Sequence, residues 1–273
     1  MSARPRLRSL VAAVAALPLV LTATLLPSAA AASAAEPDQY VALGDSYAAG
    51  NGTGFPDLSL SCYRSSLAYA PLVAKARPNT TLSFKACSGA KTGDVTGGQT
   101  AALSASTDFV TVSIGGNDVG FTDLILSCFS SWDELLCRST VSKVNARIDA
   151  ELPAKLDATY ADIRTRAPGA KVMVVGYPKP FGASVSCTQA SGVNSRESVL
   201  LNDVAAHLDR VLAARAAAAG FTYLDPVPSF TGHDVCASTP YVWGKATGLL
   251  DIYHPTRAGY RDGFVPLVRA AMG

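Results

Sequence analysis

The sequence predicts an α/β fold in which one parallel β-sheet is covered by helices. Short apolar runs, typical of strands buried on both faces, alternate along the chain with longer stretches of helical periodicity. Such alternation favours parallel strands that are joined by helical crossovers. The chain has 273 residues, of which 49% are hydrophobic and 16% charged, so its composition is globular rather than disordered.

Five segments are predicted to be strands, and most of them end at glycine or proline turn signals. In chain order they are Tyr40–Leu43, Leu82–Ala86, Phe109–Ile114, Lys171–Val175 and Phe221–Leu224. The ligand site of an open parallel sheet lies beyond the carboxyl ends of its strands. The residues that follow these strands are therefore the first candidates for chemistry.

Three segments place apolar residues at helical spacing: Ser65–Ala76, Thr140–Arg166 and Ser195–Ala219. Pro153 is expected to kink or divide the second of them. Gly220 is a stop signal after the third. Because no linker or repeat interrupts the pattern, residues 36–273 are predicted to form one domain.

The first 35 residues have the three-part pattern of a secretory signal peptide. Residues 1–9 are basic, residues 10–26 are mostly apolar, and small residues follow from Ser28 to Ala35. The apolar run is short for a membrane-spanning helix and is interrupted by Pro18. We therefore expect export by the general secretory route, cleavage after Ala34 or Ala35, and a secreted, extracellular protein without a membrane span.

The six cysteines of an exported chain indicate disulfide bonds. We predict sequential pairing, in which each bond closes a local loop. The pairs are Cys62 with Cys87, Cys128 with Cys137, and Cys187 with Cys236. No pair has the C-x2-C spacing of a zinc site, so no metal is expected.

The charge of the chain argues against a nucleic-acid partner. Arg4, Arg6 and Arg8 belong to the predicted signal peptide, which contains no acidic residue. Without it, 20 basic residues face 21 acidic ones, a net charge of −1. A near-neutral protein lacks the basic surface that nucleic acids and anionic membranes attract.

Polar residues or glycines follow the first three predicted strands. Ser46 follows Gly44 at an expected helix start, where it suits a nucleophile but equally a common N-cap. The amide of Asn117 is able to stabilise an oxyanion, although an Asn-Asp turn is the simpler interpretation. Gly89 allows a close backbone approach to a substrate and is also compatible with a plain turn.

His254 has the most suggestive setting of the three histidines. It would serve as general base for Ser46, with Asp251, three residues earlier, orienting its ring. The alternative is a surface histidine beside a turn aspartate. His207 is predicted to be surface or structural, and His233 either lines the cleft or is structural.

Taken together and in this order, these segments resemble the SGNH hydrolase superfamily, also called the GDSL lipases and esterases. The segments are Gly44-Asp45-Ser46, Cys87-Ser-Gly-Ala90, Gly116-Asn117-Asp118 and Asp251-x-x-His254. The six cysteines and Gly232-His233-Asp234 look like the secreted bacterial lipase branch. The resemblance spans essentially the whole mature chain and implies a three-layer α/β/α sandwich of flavodoxin-like type with about five parallel strands.

The resemblance also implies a role for each site residue. Ser46 is the nucleophile, His254 the base and Asp251 the acid, while Gly89 and Asn117 form the oxyanion hole with the Ser46 N–H. Tyr47 departs from the leucine of the GDSL block. Some members of this branch orient the histidine through a main-chain carbonyl, so a Ser–His dyad is the alternative.

The implied activity is carboxylic ester hydrolysis through an acyl-enzyme, without a cofactor, by a monomer that acts on small-molecule or lipid esters. Phospholipase, acyltransferase and polysaccharide deacetylase are alternatives on the same scaffold. A secreted binding module without chemistry is the alternative from another class. Phe121–Cys128 and the following residues 129–136, with Trp132, are interpreted either as an acyl-binding wall or lipid-interface edge, or as core packing.

Overall fold

Five parallel strands in the order β2-β1-β3-β4-β5 form the centre of the computed structural model. They are β1 (Asp38–Gly44), β2 (Thr80–Phe84), β3 (Phe109–Ser113), β4 (Lys171–Val175) and β5 (Thr222–Leu224). The predicted parallel sheet of five strands is confirmed, with small shifts at the strand ends. The strand order reverses between β1 and β3, the position where open α/β sheets bind ligands.

The structure describes Met1 and residues 36–129, 134–245 and 251–273. Apart from Met1, the predicted signal peptide and its cleavage site lie outside the described residues, as does Trp132. Residues Glu36–Gly273 form one compact unit. In the described part of the chain, no helix is both long enough and apolar enough to cross a membrane.

Helices cover the sheet in two groups. The helices are α1 (Ser46–Ala49), α2 (Tyr69–Lys75), α3 (Thr92–Gly97), α4 (Gly116–Val119), α5 (Phe121–Phe129), α6 (Glu134–Ala150), α7 (Leu152–Arg166), α8 (Ser195–Ala218), α9 (Val227–Phe230) and α10 (Val265–Met272). A π-helical turn, Gly259–Phe264, leads into α10 and packs with it against α2. Helices α6, α7 and α8 pack against one another, and α7 also packs against α3. The result is a three-layer sandwich.

The long helix predicted over Thr140–Arg166 is divided into α6 and α7 at Glu151. Pro153 lies in the first turn of α7, where its missing N–H costs no helical hydrogen bond. Proline therefore marks the start of a second helix here.

All three disulfides have the predicted sequential pairing. Cys62–Cys87 ties the loop after α1 to the turn after β2, which carries Gly89. Cys128–Cys137 joins α5 to α6, and Cys187–Cys236 closes a loop of 49 residues. The first two bonds thus fix segments that border the site described next.

Candidate active site

A tight turn after β1 presents the Ser46 hydroxyl at the carboxyl edge of the sheet. Gly44 has a φ of +129°, and a Cβ at this position would lie 2.3 Å from the Ser113 carbonyl oxygen. Glycine is therefore required where β1 passes β3. Asp45 caps α1 by accepting a 3.0 Å hydrogen bond from the Tyr47 N–H. Ser46 is the first residue of α1, where backbone N–H groups have no partner within the helix.

His254 lies against this serine, with its Nε2 atom 2.7 Å from Ser46 Oγ. Loss of solvation lowers the pKa of the imidazole to about 4. The ring is therefore neutral at pH 7, as a base that accepts the serine proton has to be. The predicted pairing of a serine with a histidine from the far end of the chain is present in the structure.

Asp251 does not occupy the position expected of a triad acid. Its Oδ1 atom accepts a 3.0 Å hydrogen bond from the Gly52 N–H. Within the described part of the chain, His254 Nδ1 is buried without a hydrogen bond of ordinary geometry. The Ile252 carbonyl acts on the ring in the direction that raises its pKa. In the described residues the Asp251 carboxylate thus holds the loop after α1, and its role in orienting the ring stays a prediction.

Backbone contacts hold His254 in place. Tyr253 has a φ of +57°, a left-handed conformation that is uncommon for residues other than glycine. Its N–H donates to the Trp243 carbonyl at 3.0 Å, and the Trp243 N–H donates to the His254 carbonyl at 2.9 Å. The Trp243 indole donates to the Gly52 carbonyl at 2.6 Å. Trp243 was not identified from the sequence, which carries no sign of this pairing.

Asn117 reaches the same cleft from the turn after β3. One N–H of its side-chain amide donates to the Ala90 carbonyl at 3.0 Å, which fixes the amide and leaves its second N–H for another acceptor. Gly89 has a φ of +80° and open space where a Cβ would stand. Asn117, Ser46 and His254 line one cleft.

Two buried polar side chains near the cleft were not identified from the sequence. Tyr177, which follows β4, donates its hydroxyl to Asp45 Oδ2 at 2.5 Å. Burial raises the pKa of Asp45 to about 7, although the hydrogen bonds from Tyr177 and the backbone act to lower it. Asp209 on α8 accepts a 3.0 Å hydrogen bond from the Tyr177 N–H, and burial raises its pKa to about 7 as well. The signal for Tyr177 was its place two residues after the end of a fourth strand.

The walls of the cleft are mostly apolar. Helix α5 contributes Phe121, Ile125 and Leu126, whereas its Leu124 and Cys128 are fully buried in the core. Core packing thus accounts for Leu124 and Cys128, whereas an acyl-binding role for the three residues that line the cleft stays a prediction. The remaining apolar lining residues are Pro178, Pro180, Ala205, Leu208 and Ile252.

The other two histidines lie in structural positions. His207 contacts Asn145 Oδ1 at 2.8 Å and Asp149 Oδ1 at 2.9 Å, and so joins α8 to α6 as a structural histidine. His233 contacts the Thr239 carbonyl through Nδ1 and stacks on Tyr241 at 3.8 Å. It is not a lining residue of the cleft.

Comparison with known proteins gives one consistent family. The sequence model of the GDSL-like lipase/acylhydrolase family matches residues 42–261. Lipase 1 of Streptomyces coelicolor is 43% identical over 261 residues, which cover 93% of this chain and 95% of that protein. The crystal structure of an extracellular lipase from Streptomyces rimosus matches with a TM-score of 0.81 and 39% identity, over 86% of this chain and 99% of that one. Phospholipase A1 from Streptomyces albidoflavus NA297 matches with the same TM-score, 38% identity and the same coverage. The chain belongs to the GDSL-like lipase/acylhydrolase family, a branch of the SGNH hydrolases.

Proposed function

We propose that this protein hydrolyses carboxylic esters of lipids through a Ser46–His254 dyad. The observation that carries the proposal is the 2.7 Å contact between His254 Nε2 and Ser46 Oγ in a cleft with apolar walls. A neutral imidazole beside a serine hydroxyl is the arrangement that activates an oxygen nucleophile. The apolar walls suit the acyl chain of a lipid better than a sugar.

The reaction takes two steps through a covalent acyl-enzyme. Ser46 Oγ bonds to the ester carbonyl carbon while its proton moves to His254 Nε2. The tetrahedral intermediate then collapses, the bond to the alcohol oxygen breaks, and the alcohol takes the proton from Nε2. A water molecule then bonds to the acyl carbon while its proton moves to His254 Nε2. The bond to Ser46 Oγ breaks, Ser46 takes the proton back, and the acid is released.

We assign three donors to the negative charge of the tetrahedral intermediate: the Ser46 N–H, the Gly89 N–H and the second amide N–H of Asn117. Support for Asn117 comes from its hydrogen bond to Ala90, which orients the amide before the substrate arrives. A donor fixed in advance needs little reorganisation during the reaction. The Ile252 carbonyl, rather than the Asp251 carboxylate, is assigned the role of acceptor for the Nδ1–H of the His254 ring.

The test is hydrolysis of p-nitrophenyl esters from acetyl to palmitoyl by wild type and Ser46→Ala. Turnover that rises with chain length and disappears in the variant supports a serine lipase. A maximum at acetyl keeps the serine mechanism but contradicts a lipid substrate. Equal turnover in both proteins excludes Ser46 as nucleophile, and no turnover with any ester favours the binding module.

The contribution of the α5 wall has a matched control. Leu126 is 49% exposed and lines the cleft, whereas Leu136 on α6 is 46% exposed and does not line it. Leu126→Trp is expected to shift the preferred chain toward shorter esters by narrowing the cleft, while Leu136→Trp leaves the profile unchanged. Identical profiles for the two variants would contradict an acyl-binding role of Leu126.

Phospholipids are a second candidate substrate because the phospholipase A1 structure matches this chain as well as the lipase structure does. Phosphatidylcholine with different acyl chains at its two positions separates the possibilities. Release of the sn-1 chain at a rate comparable to triacylglycerol hydrolysis favours a phospholipase. Release from triacylglycerol alone favours a lipase.

We infer that residues 1–35 are a signal peptide and that the mature enzyme is extracellular. The three disulfides support this because such bonds persist in oxidising compartments. N-terminal sequencing of protein from the medium is expected to begin at Ala35 or Glu36. Size-exclusion chromatography of the same sample tests the predicted monomer.

A further inference from the structure

Two tyrosine side chains connect the chain segments that carry the polar groups of the site. Tyr47 and Tyr177, here called the tyrosine pair, pack edge to face with ring centroids 5.0 Å apart and planes at 86°. Both line the cleft, and burial raises the pKa of both phenols. Each hydroxyl therefore keeps its proton and donates a hydrogen bond.

Tyr47 acts on the segment of the base. Its hydroxyl donates to the Tyr253 carbonyl at 2.5 Å, and its ring lies 5.1 Å from the His254 imidazole. Tyr253 directly precedes His254 and has the left-handed backbone already described. The leucine that the GDSL block has at this position offers no donor. Tyr47 therefore supplies a contact that the block itself does not.

Tyr177 acts on the other two segments. Its hydroxyl donates to Asp45 Oδ2 at 2.5 Å and accepts a longer hydrogen bond, 3.3 Å, from the Gly116 N–H. Asp45 directly precedes Ser46, and Gly116 directly precedes Asn117. One hydroxyl thus spans the turns after β1 and β3.

We propose that the tyrosine pair sets the distances between the base, the nucleophile and the oxyanion donor, which makes Tyr47 and Tyr177 positioning residues. The proposal rests on the proposed ester hydrolysis. Its physical basis is that each residue to which the pair hydrogen-bonds directly precedes a proposed reacting residue in the chain. These residues are Tyr253, Asp45 and Gly116. A shift of about 1 Å in such a group costs up to about 100-fold in rate. Among the described residues no carboxylate contacts His254 Nδ1, so the hydroxyl of Tyr47 adds a restraint on the base that a triad acid would otherwise supply.

The kinetic test compares Tyr47→Phe and Tyr177→Phe with a control that loses a buried hydroxyl elsewhere. Tyr40→Phe is suitable because its hydroxyl contacts Thr111 Oγ1 at 2.8 Å inside the sheet core. We expect kcat to fall about 10-fold to 100-fold in each variant of the pair, with KM within about twofold of wild type. Tyr40→Phe is expected to change the unfolding midpoint but not kcat.

Two kinetic results would overturn the positioning role. One is a kcat equal to that of Tyr40→Phe in both variants of the pair. The other is an effect confined to KM, which would make the rings part of the binding wall. The double variant adds a further requirement: its loss in kcat should be smaller than the product of the two single losses, because the pair acts as a unit.

A second readout does not depend on turnover. The chain has three histidines, so ¹⁵N spectra of the imidazole rings resolve His254 against His207 and His233 as internal references. Tyr47→Phe is expected to shift or broaden the His254 ring signals and to leave the other two unchanged. Unchanged His254 signals would contradict the proposal even in an active enzyme, whereas a shifted signal in a protein without esterase activity would count against the proposed function alone.

Discussion

Replacement of Asp251 separates a dyad from a triad. In the wild type, Asp251 Oδ1 accepts from the Gly52 N–H at 3.0 Å. The Asp251→Asn side chain keeps an oxygen that accepts this hydrogen bond but has no negative charge. If the carboxylate only holds the loop after α1, kcat should remain within about threefold of wild type. Catalysis would then depend on Ser46 and His254 without an acid.

The magnitudes of the two cases are far apart. A hydrogen bond to a charged acceptor contributes about 1.5–3 kcal/mol and one to a neutral acceptor about 0.5–1.5 kcal/mol, so the variant should lose about 1 kcal/mol of stability. An acid that orients a catalytic histidine costs about 10⁴-fold in kcat when it becomes an amide, as measured in a serine protease. That factor corresponds to about 5 kcal/mol in activation free energy.

The assay is kcat on p-nitrophenyl butyrate together with the urea midpoint. Asp57→Asn is the matched control, because Asp57 also holds a loop N–H, that of Ser66, at 2.7 Å. We expect Asp251→Asn to behave like this control in kcat. A loss above about 10³-fold in Asp251→Asn alone, with folding intact, would refute the dyad and restore Asp251 as the acid.

Three further predictions concern the oxyanion, the base and a buried carboxyl group. Asn117→Ala should lower kcat by about 10²–10³-fold, and a loss below tenfold would remove it as an oxyanion donor. Since desolvation lowers the pKa of His254 to about 4, the acidic limb of the kcat/KM profile that is assigned to the imidazole should lie near that pH. An acidic limb at about 6.5, the usual pKa of a histidine, would contradict the lowered pKa. Burial raises the pKa of Asp209 to about 7, so between pH 4 and 7 the folded state holds a proton that the unfolded state releases. This contribution to stability is present below about pH 4 and is lost as the pH rises to about 7. Chemical denaturation should therefore show Asp209→Asn gaining stability relative to wild type between pH 5 and pH 8, and a constant difference would argue against the raised pKa.

The sheet was predictable because its inner strands are nearly continuous apolar runs. β3 and β4 were found within one residue of their ends. β2 was predicted two residues late, since it begins with Thr80 and Thr81, whose polar side chains hide the start of the strand. Their backbone pairs with Asp38 and Gln39 of β1, a long-range contact that local sequence does not encode.

The candidate site was only partly predictable, for a similar reason. Ser46 and Asn117 each follow a strand, and the resemblance linked them to His254. The spacing of Asp251 and His254 suggested contact, but the His254 N–H donates to the Asp251 carbonyl in a turn, and the aspartate side chain bonds to Gly52 instead. Hydrophobic periodicity placed Asp209 on an amphipathic helix without revealing that it faces Tyr177.

The separation of Ser46 from His254 by 208 residues has a consequence for the timing of activity during biosynthesis. The proposed nucleophile is made early, whereas the proposed base is made 208 residues later. A chain that leaves the ribosome or crosses a membrane from its N-terminus has no proposed base until residue 254 has emerged. If Ser46 and His254 react as proposed, the order of the two residues alone delays assembly of the active site until late in synthesis.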